Sequence, residues 1–187
     1  MVDLVMIRTG PHSRLEAFAK ESEVPVINGL TNDSHPCQVM GDIMSFIEKR
    51  GSIKGTVVTW IGDANNVLYS WLYAASILGF KVHISAPPGY SINPTQVPDN
   101  DDCYDFFLSP EEAAEGADLV TTDNWRSCGY DENQAKRQSK SARWQVNETV
   151  MKAAKPDALF MHCFPPSAGK RSLPKSSTDR SLSFGTS

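Results

Sequence analysis

The chain has 187 residues, a formal net charge of −4 and a pI near 5.5, with 40% hydrophobic and 21% charged residues. This composition is typical of a globular protein, and the length allows one sizeable core or two small lobes. The acidic balance argues against nucleic-acid binding, and no apolar stretch reaches the ~20 residues of a bilayer span. No signal-peptide pattern is present at the amino terminus. We therefore expect neither nucleic acid nor a membrane as a partner, whereas small anionic ligands remain possible.

The amino-terminal part alternates short apolar runs with segments of helical spacing. The pattern predicts strands at residues 4–8 and 24–27 and helices at residues 13–20 and 35–49. Pro36 suits the first turn of the second helix, and Gly51 suits its end. We expect a domain boundary near residues 51–55, between this small piece and a larger α/β lobe.

The larger lobe continues the alternation. A strand at residues 56–61, a helix at 66–78 and a strand at 81–86 predict a right-handed βαβ unit, with a loop at 87–102 after it. Further strands are expected at residues 104–108, 119–122 and 158–161, and further helices at 111–115 and 145–154. This alternation predicts an α/β fold with a doubly wound parallel sheet.

Four cysteines are present, at Cys37, Cys103, Cys128 and Cys163. Their positions contain no C-x-x-C pair, so the sequence favours neither a zinc site nor a disulfide framework. We expect no metal ion and no cofactor. Cys163 differs from the others because it follows His162 at the end of a predicted strand.

Polar clusters occur at the ends of several predicted strands. They comprise Arg8, the stretch His35-Pro36-Cys37-Gln38, the turn from Gly62 to Asn66, the stretch from Asp123 to Gly129, and the pair His162-Cys163. Open α/β sheets bind ligands at the carboxyl ends of their strands. We therefore predict that these distant segments form one cleft.

In their residues and their order, these clusters resemble the signatures of the ornithine carbamoyltransferases. The resemblance extends from Met1 to about Pro165 and includes Val26-Ile27-Asn28-Gly29-Leu30-Thr31, the His35 to Gln38 stretch, the Gly62 turn, the Asp123 stretch and Met161-His162-Cys163-Phe164-Pro165. The Gly62 turn departs from the G-x-G-x-x-G pattern of dinucleotide-binding domains. By resemblance, residues 1–52 are the end of a carbamoyl-phosphate domain, residues 53–165 form a Rossmann-like ornithine-binding domain, and residues 166–187 are a disordered tail outside the family pattern.

The resemblance implies a reaction in which the carbamoyl group of carbamoyl phosphate passes to the side-chain amine of L-ornithine, giving citrulline and phosphate. Arg8 and His35 would donate to oxygens of carbamoyl phosphate, and Gln38 would accept from its amide nitrogen. Such a site must polarise the carbonyl, hold the phosphate and present a neutral amine. Arg8, His35 and Cys163 are the implied catalytic residues.

The same resemblance implies a clamp for ornithine. Asn66, Asp123 and Ser127, with the backbone at Cys128, would hold its α-amino and α-carboxylate groups. Cys163 and the carbonyl groups around Phe164 would lie against the side-chain amine, and the departing phosphate would be the final proton acceptor. The family form would be a cytoplasmic homotrimer.

Each candidate residue also has a structural alternative. Arg8 is also compatible with a surface position after a strand, and His35 with a cap of its helix. Asp123 would serve equally as a helix cap, and Asn65-Asn66 as a turn pair that tolerates left-handed conformations. His162 fits a satisfied structural group as well as a functional one.

Several features depart from the family pattern. The Ser-x-Arg-Thr-Arg phosphate motif does not occur in this sequence, Cys128 replaces a usual methionine, and the stretch after Cys163 differs from the usual Leu-Pro-Ala-x-Arg-Gly. We expect this last change to reflect a lost base that shifted the reading frame after Cys163, with a natural disordered tail as the alternative. The coding DNA distinguishes the two explanations.

These departures lead us to expect that the chain alone is inactive as an ornithine carbamoyltransferase. A carbamoyltransferase for another amine or amino acid, such as putrescine or acetylornithine, remains an alternative. So does a non-catalytic protein that binds amino acids or another protein.

Overall fold

The computed structural model describes residues 2–99, 101–123, 143–163 and 182–183, with residues 101, 182 and 183 described by their backbone only. The strands are β1 (Val5–Arg8), β2 (Val26–Leu30), β3 (Val57–Ile61), β4 (Lys81–Ser85), β5 (Tyr104–Phe106), β6 (Leu119–Thr122), β7 (Leu159–His162) and β8 (Leu182–Ser183). The α-helices are α1 (His12–Glu21), α2 (Pro36–Arg50), α3 (Asn66–Leu78), α4 (Pro110–Ala114) and α5 (Glu148–Ala153), and 3-10 turns lie at Pro94–Gln96 and Asp101–Cys103.

Six of these strands form one parallel sheet in the order β5-β4-β3-β6-β7-β8. The chain builds this sheet outward from β3 in one direction through β4 and β5, and then restarts beside β3 with β6. This order defines a doubly wound sheet whose switch point lies between β3 and β6. The predicted α/β fold class is therefore confirmed. β1 and β2 form a separate parallel pair.

Helices cover both faces of the large sheet. On one face, Trp60 of β3 belongs to a buried cluster with Trp71 and Leu72 of α3 and Phe46 of α2. On the other face, the next residue of β3, Ile61, belongs to a second buried cluster that includes residues of α4, β6, α5 and β7. Neighbouring residues of a strand point to opposite faces, so β3 contributes to both clusters.

Asparagine and serine side chains set where the helices begin. Asn65 accepts from the Val67 and Leu68 amides at 3.0 and 3.2 Å, Ser109 caps α4, and Asn147 accepts from Val150. These residue types satisfy amide groups that the first helical turn leaves unpaired. The helix predicted at residues 145–154 therefore begins later, and the one predicted at 111–115 begins one residue earlier.

A short junction joins the amino-terminal piece to the large sheet. The side chain of Asn66, at the start of α3, donates to the Thr31 carbonyl at 2.7 Å, and the His35 amide donates to the Ser70 hydroxyl at 2.8 Å. The Ser70 hydroxyl also donates to the Asn66 carbonyl at 2.9 Å. Thr31 is fully buried. One turn of α3 therefore holds both ends of the loop between β2 and α2.

Part of the predicted tail pairs with the sheet. Leu182 and Ser183 lie parallel to Phe160 and Met161 of β7. The other residues of the stretch 166–187 lie outside the described residues, as does the site of the expected frameshift. The predicted domain division stays a prediction. Within the described part of the chain, no helix is long and apolar enough to cross a membrane.

The core packing of α3 gives a stability prediction. Leu72 is fully buried, whereas Ile77 on the same helix is 78% exposed. Leu72→Ala removes buried methyl groups and leaves a cavity, so we expect it to lower the free energy of unfolding by roughly 2–5 kcal/mol. Ile77→Ala should change it by less than about 0.5 kcal/mol. Urea denaturation followed by circular dichroism measures both, and equal effects would contradict the packing described above.

Candidate functional site

The described polar residues that follow β3, β6 and β7 meet at the switch point of the large sheet. Asn65 follows β3, Asp123 follows β6, and Cys163 follows β7. The amide nitrogen of Asn65 donates to Oδ2 of Asp123 at 2.8 Å, across the crevice between β3 and β6. The thiol of Cys163 donates to the other oxygen, Oδ1. The predicted cleft thus has a carboxylate at its centre.

His35 lies close enough to this centre to respond to its charge. Burial lowers the pKa of His35 below its ordinary value, the positive Arg8 guanidinium lowers it further, and the Asp123 carboxylate acts in the opposite direction. Arg8 itself is exposed at the carboxyl end of β1. The imidazole of His35 is therefore neutral at neutral pH, with one N–H donor available.

The surroundings of His35 favour one tautomer of that neutral ring. Its side chain does not cap α2, and its buried Nδ1 has no hydrogen-bond partner among the described residues. An unpaired buried donor costs more than an unpaired acceptor, so the proton belongs on Nε2. His35 is therefore able to donate through Nε2 to a ligand oxygen. The capping alternative does not describe this side chain.

Gln38 lies in the first turn of α2, on the same side as Asp42. Its Nε2 donates to Oδ1 of Asp42 at 3.0 Å. Burial raises the pKa of Asp42 to about 7, the hydrogen bond from Gln38 opposes that rise, and the negative Asp123 adds to it. The charge of Asp123 therefore acts on the pKa of two groups, His35 just before α2 and Asp42 in its second turn.

The structure locates some of the other predicted residues and leaves several outside its range. The side-chain amide of Asn66 donates to the Thr31 carbonyl. Ser127, Cys128 and Phe164 lie outside the described residues, so their predicted roles stay predictions.

His162 has the surroundings of a structural group. It is buried, its Nδ1 donates to the Cys163 carbonyl, and its ring stands edge-on to Phe160 at a centroid distance of 6.3 Å. A carbonyl only accepts, so this contact fixes the proton on Nδ1. These contacts orient the backbone that presents Cys163.

Two residues of the site were missed as such by the sequence interpretation. Asn65 was considered only as a turn residue, although asparagine directly before a helix often serves as a cap. Asp42 was not considered at all. Its spacing of four residues from Gln38 was the available signal, because such side chains are neighbours on a helix.

The described residues contain no group of three or more His, Cys, Asp or Glu that could hold a metal ion. Among the described residues, Cys37, Cys103 and Cys163 are thiols that form no disulfide. The described side chains of the site offer hydrogen bonds and charge: the carboxyl groups of Asp42 and Asp123, the imidazole of His35, the amides of Gln38 and Asn65 and the thiol of Cys163.

The fold and the site define a doubly wound α/β protein with a ligand site at its switch point. Two family models match the sequence: the Asp/Orn binding domain of aspartate/ornithine carbamoyltransferase over residues 54–171, and the carbamoyl-P binding domain of the same enzymes over residues 1–48. The chain belongs to the aspartate/ornithine carbamoyltransferase family. The resemblance found in the sequence is confirmed, and the family match continues past Cys163 to residue 171.

Individual relatives agree with this assignment. The chain is 53% identical to the ornithine carbamoyltransferase of Herminiimonas arsenicoxydans over 170 residues, which are 91% of this chain and 56% of that protein. The crystal structure of ornithine carbamoyltransferase from Burkholderia thailandensis E264 matches with a TM-score of 0.82 at 48% identity, over 90% of this chain and 55% of that one. The Pyrococcus furiosus structure matches with a TM-score of 0.82 at 38% identity, with 90% and 56% coverage. The chain therefore spans about half the length of these relatives.

The electrostatics of His35 give a testable prediction. Arg8→Gln removes a positive charge that disfavours the imidazolium form, so the pKa of His35 should rise while staying below its ordinary value because burial persists. Arg8→Lys keeps the charge and should leave the pKa nearly unchanged. A pH titration of the histidine ring resonances by NMR measures both variants. An unchanged pKa of His35 in Arg8→Gln would show that the charge of Arg8 does not act on His35.

Proposed function

We propose that this chain carries the ornithine-binding part and a portion of the carbamoyl-phosphate part of an ornithine carbamoyltransferase. The observation that carries the proposal is the Asp123 carboxylate, held at the switch point by Asn65 and Cys163 with His35 nearby. A carboxylate is a suitable partner for the α-ammonium group of an amino acid. A thiol beside it suits contact with a second, reacting amine.

The proposed chemistry assigns each group a separate task. His35 donates through Nε2 to the carbonyl oxygen of carbamoyl phosphate, which increases the positive character of the carbon. Arg8 stabilises the negative charge on the phosphate oxygens. Gln38 accepts from the carbamoyl amide, and Cys163 contacts the ornithine amine as it attacks. The bond from carbon to the phosphate oxygen then breaks, and the leaving phosphate accepts the proton from the nitrogen.

The ornithine clamp extends this assignment to residues around Asp123. The α-amino and α-carboxylate groups of ornithine are also contacted by Asn66, Ser127 and the backbone at Cys128. The side-chain amine is contacted by Cys163 and by the backbone at Phe164. The support for these roles is the match of the ornithine-binding family model over residues 54–171. The proposed functional form is a cytoplasmic homotrimer in arginine metabolism or the urea cycle.

We further propose that the 187-residue chain does not turn over by itself. The sequence contains no Ser-x-Arg-Thr-Arg motif, which in the family supplies the main phosphate contacts. Hydrogen bonds to charged groups contribute about 1.5–3 kcal/mol each, so losing several of them weakens carbamoyl phosphate binding by orders of magnitude. Ornithine binding depends on other residues and is expected to persist.

Calorimetry with ornithine, N-acetylornithine and putrescine tests this assignment. The chain should bind ornithine, and Asp123→Asn should weaken that affinity roughly 10- to 150-fold because a charge-assisted contact is lost. Asp3→Asn is the control, since Asp3 is exposed and precedes β1, whereas the site lies beyond its carboxyl end. Tighter binding of N-acetylornithine or putrescine would favour the alternative amine substrates. Binding of none of the three would favour a protein interaction role.

A citrulline assay with carbamoyl phosphate and ornithine tests the second part of the proposal. The expected result is ornithine binding without citrulline. Turnover by the chain alone would show that its phosphate contacts are sufficient, and would contradict the proposed inactivity while supporting the substrate assignment.

A further inference from the structure

We propose that Asp42 is a positioning residue that fixes which end of the Gln38 amide faces the carbamoyl group, and that protonation of Asp42 reverses this orientation. The inference rests on the proposed function, because it assigns Gln38 to the carbamoyl group. It adds Asp42, which the sequence interpretation did not include. It also makes the pH decide whether the Gln38 amide presents an acceptor or a donor to the ligand.

The starting observation is the contact between the two side chains on α2. Gln38 Nε2 lies 3.0 Å from Asp42 Oδ1. The two residues are four positions apart, so their side chains are neighbours on one face of the helix. An ionised carboxylate only accepts hydrogen bonds, whereas an amide has a donating nitrogen and an accepting oxygen. The ionised form of Asp42 therefore selects the amide orientation in which Nε2 faces it.

This orientation leaves the other end of the amide for a ligand. With Nε2 bonded to Asp42, Oε1 lies on the opposite side of the amide group and remains an acceptor. A carbamoyl group presents an N–H donor. Oε1 of Gln38 can accept from that donor, whereas the N–H groups on Nε2 would repel it. Asp42 acts through Gln38 in this scheme and does not itself touch the substrate.

Protonation of Asp42 changes the partner that Gln38 meets. A protonated carboxyl group carries an O–H donor, which favours Oε1 of Gln38 as its acceptor. A half-turn of the amide would satisfy that donor and bring Nε2 to the ligand side. The ligand side would then present a donor, which is the wrong partner for a carbamoyl N–H.

The charges around Asp42 place this change near neutral pH. Burial raises the pKa of Asp42 to about 7, and Asp123, which follows β6, raises it as well, while Gln38 on its own helix acts in the opposite direction. Cys163, which follows β7, and Asn65, which precedes α3, bond to Asp123. Burial and Arg8 lower the pKa of His35, so its ring is neutral at and above neutral pH. The carboxyl group of Asp42 gains a proton as the pH falls through about 7.

NMR of the full 187-residue chain tests the orientation without any ligand. In the ¹⁵N-labelled protein, the Gln38 side-chain amide resonances should shift between pH 5.5 and 8.5 with a midpoint near 7. Asp42→Asn should abolish this shift. Glu48→Gln, the same change of charge at an exposed position of α2, should leave it intact. Resonances that do not move with pH in the unmodified chain, or that move equally in Asp42→Asn, would overturn the inference.

A binding measurement then connects the orientation to the carbamoyl group. Phosphonoacetamide is a suitable probe because it presents a primary amide next to a phosphonate. For each protein, the affinity for the probe at pH 8 is divided by the affinity at pH 6. This ratio should be roughly 2- to 10-fold larger for the unmodified chain than for Asp42→Asn, as expected for one hydrogen bond. Comparing ratios removes the titration of the phosphonate itself.

The two measurements separate the inference from the proposed function. Equal affinity ratios in both proteins would refute the role of Asp42, even if the probe binds. Absence of probe binding at every pH would agree with the weakened phosphate contacts proposed above. In that case the NMR titration still decides whether Asp42 controls the Gln38 amide.

Discussion

The site depends on a single carboxylate at the switch point of the sheet. Asp123 is placed by β6, and its two oxygens accept from groups that follow the two strands beside it, β3 and β7. The segments after three adjacent strands are therefore tied to one side chain. The same negative charge adds to the raised pKa of Asp42 and partly opposes the lowering of the pKa of His35, so it also acts on α2 and the residue before it. Removing it would alter the geometry of the crevice and the protonation of its surroundings together.

The junction at α3 determines whether the two parts of the site lie together. His35 and Gln38 belong to the amino-terminal piece, whereas Asp123 and Cys163 belong to the large sheet. Asn66 and Ser70 hold the loop that precedes His35 through hydrogen bonds of 2.7 and 2.8 Å. These bonds involve backbone groups of Thr31 and His35, so they fix the chain itself and not only side chains. A ligand contact by Asn66 would have to coexist with, or replace, its bond to Thr31.

Hydrophobic periodicity was sufficient to predict the succession of strands and helices up to β7, because buried strands and amphipathic helices have different spacings. It was less accurate at helix ends, where the side chains of Asn147 and Ser109 accept hydrogen bonds from backbone amides and so decide the first helical residue. It did not predict β8, since a two-residue strand has no measurable period. The pairing of Leu182 with Phe160 depends on a neighbouring strand and not on the local sequence.

The sequence pointed to candidate residues where the ends of predicted elements and family motifs coincided, as for His35, Asp123 and Cys163, and their functional roles stay predictions. Asn65 and Asp42 were missed because each acts through a second side chain, and such pairs are formed by the fold. The hydrogen bonds of Asn65 to Asp123 and of the His35 amide to Ser70 bring Asp123 and the start of α2 to the same end of α3, and linear spacing in the sequence does not contain these contacts. The neutral state of His35 likewise depends on burial and on Arg8, 27 positions earlier in the chain.

Asn65 both caps α3 and bonds Asp123, so the site is coupled to the opening and closing of the first turn of α3. Its oxygen accepts from the Val67 and Leu68 amides, while its nitrogen holds Asp123. Opening of the first turn of α3 would release both sets of bonds, since they share one side chain. Amide hydrogen exchange at Val67 and Leu68 would therefore follow the same local opening that breaks the bond from Asn65 to Asp123. The time for which Asn65 and Asp123 stay bonded would then depend on how often the first turn of α3 opens.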